Sequence, residues 1–228
     1  TKQINELDHA IARLLTGEPL AYITGRRSFY GLDFLVDRHV LIPRPETEIL
    51  VEEVIDWFEA HPGRVAMADI GTGCGAIAVA CADRFPALRI TALDISPDAL
   101  QIARENAARN NVDGQIEFIQ NDLLEGLAGK FDVIAANLPY IPSAELDTLE
   151  VIRFEPRLAL DGGNDGLYFI NKLLHQCEKY LFPGGCVFLE IEYNQPKVKT
   201  IAGQIYPQAA ITMINDLANL PRVIKIQF

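Results

Sequence analysis

Val65-Ala66-Met67-Ala68-Asp69-Ile70-Gly71-Thr72-Gly73-Cys74-Gly75-Ala76 is the stretch that decides the fold. Val65 to Ile70 is a short, mostly apolar run that reads as a strand, and Ala76 to Arg84 reads as a helix. Between them stand three glycines spaced G-x-G-x-G. Glycine lets a backbone turn sharply and approach a ligand with no Cβ in the way. The helix that follows opens with unpaired N–H groups, which suit a phosphate or a carboxylate.

Downstream, strands keep alternating with helices. Arg89 to Leu93 is a strand ending at Asp94, Pro97 to Arg109 a helix, and Ile116 to Ile119 and Phe131 to Ala136 two further strands. A helix over Leu167 to Tyr180 leads into a strand over Cys186 to Ile191, and Ala210 to Ile214 and Val223 to Ile226 are the last two. Such alternation predicts an α/β fold, a mostly parallel sheet with helices on both faces. Ligands bind at the carboxyl ends of the strands in sheets of this kind. The informative residues are therefore Gly71, Thr72, Gly73, Cys74 and Gly75, then Asp94, Asp122 and Asn137 to Tyr140. Asp94 lies 19 residues beyond Gly75, where a carboxylate can accept both hydroxyls of a ribose. The spacing is not the dinucleotide fingerprint G-x-G-x-x-G. A nicotinamide cofactor is the rival for this pair, but no element supplies a site for a hydride acceptor. S-adenosylmethionine, with its ribose and its amino-acid carboxylate, fits both features.

Asn137-Leu138-Pro139-Tyr140 follows the fourth strand of this series and gives the cleft a chemistry. An amide nitrogen is a poor nucleophile because its lone pair is delocalised into the carbonyl. The Asn137 side-chain oxygen and the Leu138 carbonyl can accept its two N–H bonds, orienting the nitrogen and stabilising charge that develops on it. Tyr140 can stack on a flat target group, and Pro139 stiffens the loop. Neutral Asn137 suits a transfer that needs no strong base, since the nitrogen becomes acidic as it acquires the methyl group.

The amino-terminal part reads differently. Gln3 to Leu15 has a helical period in Ile4, Leu7, Ile11 and Leu14, closed by Gly17-Glu18-Pro19. Tyr22 to Ile42 reads as a hairpin turning near Gly31, and Glu46 to Glu59 as an amphipathic helix. Thr1 in place of Met, with a helix starting almost at once, predicts a chain trimmed from a longer protein. Apolar residues are 49% of the 228 and no run approaches a membrane span. With 20 basic residues against 31 acidic ones, a net charge of −11, stable nucleic-acid binding is not expected. The four cysteines lack metal-type spacing and read as reduced thiols of a cytoplasmic protein.

In these motifs the chain resembles the release factor glutamine methyltransferases (PrmC/HemK), which belong to the Rossmann-like class I S-adenosylmethionine-dependent enzymes. The resemblance rests on Gly17 to Ile23, Phe29-Tyr30-Gly31, Leu41-Ile42-Pro43-Arg44-Pro45-Glu46-Thr47-Glu48, the glycine turn, Asn137 to Pro142, and Glu155-Pro156-Arg157-Leu158-Ala159-Leu160 with the glycines after it. It implies a seven-stranded sheet preceded by a β-hairpin and the remnant of a small helical domain, divided as 1–20, 21–43 and 44–228. It also implies methylation of the glutamine side chain in the Gly-Gly-Gln motif of peptide chain release factors, leaving S-adenosylhomocysteine. Gly71 to Gly75 would wrap the methionine end of the cofactor, Asp94 would take the ribose, and Asp122 with Leu123 would border the adenine. Asn137 would touch both cofactor and substrate, and Leu138, Pro139 and Tyr140 would hold the glutamine. The family usually has Asn-Pro-Pro-Tyr, so Leu138 departs from it, as does Glu192 where glycine is common.

Several residues admit two readings. Arg44 and Glu46 are either a plain helix start or a segment closing over the cofactor. Glu155 and Arg157 are either a surface ion pair or supports of a loop over the substrate. Phe29 and Tyr30 read as hairpin packing rather than substrate contacts. The four histidines are assigned no chemistry and no metal is expected. Two other activities compete: adenine-N6 methylation of nucleic acid, where a flipped base presents a flat amino group, and glutamine methylation of a ribosomal protein. The expected assembly is a monomer.

Overall fold

The computed structural model describes residues 2–228. Two helices, α1 (Lys2–Leu15) and α2 (Leu20–Thr24), precede a hairpin of β1 (Arg26–Phe29) and β2 (Leu32–Leu35). Then follow α3 (Thr47–Ala60), β3 (Ala66–Ile70), α4 (Ala76–Arg84), β4 (Arg89–Asp94), α5 (Pro97–Arg109), β5 (Ile116–Gln120) and β6 (Phe131–Ala136). The rest of the chain forms α6 (Ser143–Leu146), α7 (Tyr168–Leu174), β7 (Leu181–Glu190), α8 (Lys197–Ile205), β8 (Ala210–Asn215) and β9 (Pro221–Gln227).

Seven strands form one sheet in the order β5-β4-β3-β6-β7-β9-β8. β3 to β7 run parallel, and β9 lies antiparallel to both β7 and β8. After β3 the chain builds outward through β4 and β5, then returns to β6 on the other side. That reversal opens a crevice at the carboxyl ends of β3 and β6.

Alternation along each central strand sends side chains to two cores. Met67, Val133, Ala135, Cys186 and Phe188 face the layer containing α3, α4 and α5. Ala68, Ile70, Ile134, Ala136, Val187 and Leu189 face α7 and α8. Every residue of β6 is buried, as a strand covered on both faces requires. Trp57 of α3 is fully buried and donates its indole N–H to Gln227 Oε1 at 2.8 Å. The sheet and its two helical layers are the Rossmann-like class I methyltransferase fold expected above.

Three elements differ from expectation. Tyr22 lies in a helical turn rather than at the start of an extended run. Pro19 precedes that turn and Gly25 ends it in the left-handed region, while the Tyr22 hydroxyl donates to Val40 O at 2.6 Å. The helix expected over Leu167 to Tyr180 stops at Leu174 and resumes as a 3₁₀ turn over Cys177–Tyr180. The Leu174 carbonyl, which would have continued the helix, instead accepts the Tyr206 hydroxyl. Finally, β7 begins at Leu181, pairing with Phe131 across an irregularity in the β6–β7 ladder. α1 buries no residue, so its apolar stripe faces outward.

Candidate active site

Backbone constraint builds the turn after β3. Gly71, Gly73 and Gly75 have φ of +69°, +56° and +85°, a region strained for other residues. Space is short too. A Cβ on Gly71 would lie 3.1 Å from Leu138 Cδ2, and one on Gly75 would lie 3.2 Å from Ala103 Cβ. Below the turn, the fully buried Asp69 accepts the Thr72 hydroxyl at 2.6 Å and the Ala78 amide at 3.2 Å through one oxygen. Burial raises its pKa to about 7 in spite of those two hydrogen bonds, with a smaller push from Asp94. Asp69 thus fastens the turn to the first residues of α4.

Asp94 closes the turn from the next strand. Its Oδ2 accepts the Gly73 amide and its Oδ1 the Ser96 amide, both at 2.9 Å. The Thr72 and Gly75 amides go to Leu93 O at 2.9 Å and Thr72 O at 2.8 Å. Sequence reasoning expected free N–H groups at the start of the helix beyond the turn; of these the Ala78 amide is taken by Asp69, and the Thr72, Gly73 and Gly75 amides of the turn itself are engaged inside the protein. Each Asp94 oxygen retains capacity for a second hydrogen bond, which leaves it able to meet a ribose hydroxyl. Burial raises the Asp94 pKa, and the amides of Ser96, Gly73 and Ile95 oppose that rise.

The turn, Asp94, Asp122, Leu123, Asn137, Leu138 and Pro139 line a single cleft of about 260 Å³. The remaining lining includes Val40, Arg44 and Thr47, then Pro156, Leu158 and Ala159, and Phe169 of α7. Asp122 pairs with Lys172 Nζ at 2.5 Å. Leu123 takes φ +52°, and the Asn121 amide braces it by donating to Leu123 O at 3.0 Å. Cys74 is buried, and burial pushes its thiol up to about 12, so it serves as packing rather than as a nucleophile. Its carbonyl accepts Asn106 Nδ2 at 2.8 Å, and Asn106 also bonds both backbone groups of Leu35, at 2.6 and 3.0 Å. Through Asn106 the hairpin is tied to the glycine turn.

The loop after β6 is positioned from afar. Asn137 Nδ2 donates to Thr47 Oγ1 at 3.1 Å. Leu138 is buried against Gly71, so packing substitutes for the stiffness of the proline usual in the family. The Ile141 amide bonds Leu160 O at 3.1 Å and the Gly162 amide bonds Ile141 O at 2.8 Å. Gln195 Nε2 donates to Tyr140 O at 3.0 Å. Gly162 and Gly166 admit the loop because they lack side chains: a Cβ on them would come within 2.7 Å of Tyr140 Cα and 2.2 Å of Tyr140 O. Tyr140 itself does not line the cleft. Burial raises the pKa of its phenol, as do Glu190, Glu192 and Glu46, while Arg44 acts against them.

Of the paired readings, the structure favours the second for Arg44. Its guanidinium lines the cleft and meets the buried Glu155 at 2.6 Å, joining the β2–α3 connection to the segment beyond Phe154. Glu46 occupies the cap position of α3 without a side-chain cap bond. Glu155 and Arg157 do not pair. Arg157 binds Asp147 at 3.0 Å and Asp161 at 3.3 Å instead. Phe29 is buried edge-on against Phe34, as hairpin packing predicts. Glu192 faces Arg222 at 3.6 Å, which gives its side chain a partner.

Sequence reasoning missed Thr47, Phe169, Gln195 and above all Glu190. Glu190 ends β7 as Asp94 ends β4, but the sequence reading carried that strand on to Ile191 and so left Glu190 inside it. The carboxylate is buried, burial raises its pKa to about 7, and the Thr47 hydroxyl and Asn137 amide act in the opposite direction. Its Oε2 has no partner. Among the described residues no His, Cys, Asp and Glu group suits a metal, and no helix is long and apolar enough to cross a membrane.

Residues 46–154 match the methyltransferase small domain, a span that includes both the glycine turn and Asn137 to Tyr140. A release factor glutamine methyltransferase of Koribacter versatilis is 43% identical over 225 residues, covering 95% of this chain and 77% of the relative. The chain belongs to the release factor glutamine methyltransferase family. A second member, from Moorella thermoacetica, is 45% identical over 216 residues, covering 93% of this chain and 76% of its own. A solved release-factor-specific protein-(glutamine-N5) methyltransferase from Alicyclobacillus acidocaldarius superposes with a TM-score of 0.53 at 29% identity, covering 85% of this chain and 98% of that one. Membership makes the chain a methyltransferase, and the cleft at the β3–β6 reversal is its candidate active site.

Proposed function

We propose that this methyltransferase moves the methyl group of S-adenosylmethionine to the side-chain amide nitrogen of the Gly-Gly-Gln glutamine of peptide chain release factors. The observation that carries the reading is the shared cleft: Asn137 and Leu138 border the same space as the glycine turn and Asp94. The residues present fit the cofactor. A glycine-rich turn that leaves little side-chain bulk accommodates its amino-acid end, Asp94 offers acceptors to the ribose, and Leu123 and Phe169 give apolar sides to an adenine beside Asp122. When bound, S-adenosylmethionine supplies a methyl group activated by its sulfonium, and S-adenosylhomocysteine remains.

The chain's own residues supply position. Asn137 Oδ1 and the Leu138 carbonyl accept the two N–H bonds of the substrate amide and hold its nitrogen at the cleft. Both acceptors strengthen as positive charge grows on that nitrogen, which lowers the barrier without a buried base. Pro139, which also borders the cleft, and Tyr140, which follows it, complete the loop that would hold the glutamine. In this reading residues 44–228 are the catalytic unit, and residues 21–43 form the hairpin that contributes Val40 to the cleft wall.

The test is transfer of label from S-adenosylmethionine to a release factor, compared with the same factor carrying a replacement of the Gly-Gly-Gln glutamine. Label on the first alone is expected. Equal label on both would defeat the substrate assignment, and label on DNA alone would favour adenine methylation.

A further inference from the structure

S-adenosylmethionine carries a carboxylate into the cleft, and an anion that leaves water without a partner is costly to bind. The Thr72, Gly73 and Gly75 amides, which a glycine turn could lend to it, are engaged within the protein. Those donors are closed to it, and a cation in the lining makes a stronger partner than a neutral amide. With Asp94 at the ribose and Asp122 and Leu123 at the adenine, the amino-acid end runs towards Gly71. Gly71 adjoins the acceptor loop, for a Cβ on it would lie 3.7 Å from Asn137 O. Asn137 Nδ2 donates to Thr47 Oγ1 at 3.1 Å, and the Thr47 amide bonds Arg44 O at 3.1 Å. Arg44 thus borders the end of the cleft that the carboxylate reaches.

Two guanidinium groups line the cleft, Arg38 and Arg44. Arg38 is exposed on the surface. Arg44 is held in place: its Nη2 donates to Glu155 Oε1 at 2.6 Å, and Glu155 Oε2 accepts the Ile42 amide at 3.3 Å. The Glu155 side chain is 2% exposed and that of Arg44 34%, so the pair presents its cation rather than its anion to the opening. Arg44 makes no other side-chain hydrogen bond among the described residues, which leaves its remaining N–H groups for a ligand. A guanidinium pinned by a buried carboxylate meets a second carboxylate with little freedom left to lose. Folding alone would be served as well by two apolar side chains at these positions.

We infer that Arg44, anchored by Glu155, is the counter-ion for the carboxylate of the cofactor's amino-acid end, and that Glu155 is its positioning residue. The inference rests on the S-adenosylmethionine reading above.

Calorimetry with two ligands tests it: S-adenosylhomocysteine, and its decarboxylated form, which keeps every other group. The wild type should bind the first about 10–100-fold more tightly, the scale of one charge-assisted contact. Arg44→Met should bind the two alike, having lost affinity for S-adenosylhomocysteine only, while Arg44→Lys keeps a cation and should recover part of the preference. Glu155→Gln leaves Arg44 present but loosens it, so its preference should fall between those of the wild type and Arg44→Met. A folded Arg44→Met with the wild-type preference overturns the inference. So does an Arg44→Met whose only defect is a raised KM for a release factor, because that puts Arg44 on the acceptor side. Should Arg44→Met fail to fold with Glu155 left unpaired, the double variant Arg44→Met with Glu155→Gln decides by the same ratio. A wild type that binds neither ligand refutes the cofactor reading itself, whereas one that binds both without preference refutes only the carboxylate contact.

Discussion

The two strand ends that meet at the cleft are held by opposite means. The turn after β3 is held within one strand-helix-strand-helix unit, with Thr72 on Asp69, Gly75 on Thr72, Ala78 on Asp69, the Thr72 and Gly73 amides on Leu93 and Asp94 of β4, and the Cys74 carbonyl on Asn106 of α5. The loop after β6 is held by residues more remote in sequence: Thr47, 90 positions before Asn137, and Gln195, 55 positions after Tyr140. The cofactor floor is therefore specified by one contiguous unit of the chain, while the acceptor site exists only once the sheet and its flanking segments are assembled. Substitutions far from Asn137 should accordingly damage chemistry, and those that damage the floor should lie within it.

The largest effect is expected at the loop itself. Asn137→Ala should lower kcat by about 10²–10³-fold with S-adenosylmethionine affinity largely kept, because Asn137 acts mainly on the acceptor, measured by labelling and calorimetry. A cofactor affinity that falls in parallel would erase the division between the two strand ends. Next comes a remote site. Gly162→Ala places a Cβ 2.7 Å from Tyr140 Cα, so the loop must move. A shift of that kind costs on the order of 100-fold in kcat and about 1–3 kcal/mol in stability, again with cofactor affinity kept.

Gly75→Ala probes the other end. With φ at +85° the variant should lose about 1–2 kcal/mol by thermal or denaturant unfolding and bind S-adenosylmethionine more weakly. The last test concerns Asp69 and is read from a pH dependence rather than from a single loss. Its folded pKa, about 7, lies above the value of about 4 for a free carboxylate, so the folded state binds the proton more tightly. Its contribution is complete below about pH 4 and is lost as pH rises towards 7. The unfolding midpoint of Asp69→Asn should thus gain on the wild type across that window, and a constant difference would contradict the burial argument.

The same contrast explains what the sequence made legible. The strands from Ala66 to Ala136, α4 and α5 follow from apolar runs and glycine punctuation, because their causes lie within a few residues. The turn and Asp94 were visible for the same reason. Thr47, Phe169, Gln195 and Gly162 were not, because nothing near them in sequence says that the fold brings them to Asn137 or its cleft. The break after Leu174 was equally hidden, since the Tyr206 hydroxyl that takes the Leu174 carbonyl lies 32 residues away. Glu190 was hidden as well: the sequence reading ran its strand on to Ile191, and both its place at the strand end and its burial needed the structure.

One consequence of the strand order reaches back to synthesis. β9 leaves the ribosome after the other six strands of the sheet, yet it sits inside that sheet, between β7 and β8. Until it arrives, β7 is an open edge whose residues from Gly185 to Glu190 are all destined for burial, the kind of surface on which nascent chains stick to one another. β8 and β9 can zip together as a hairpin through the short Asp216 turn and dock as a unit. The edge of the strand that carries Glu190 is thus sealed only by a segment translated after the rest of the sheet.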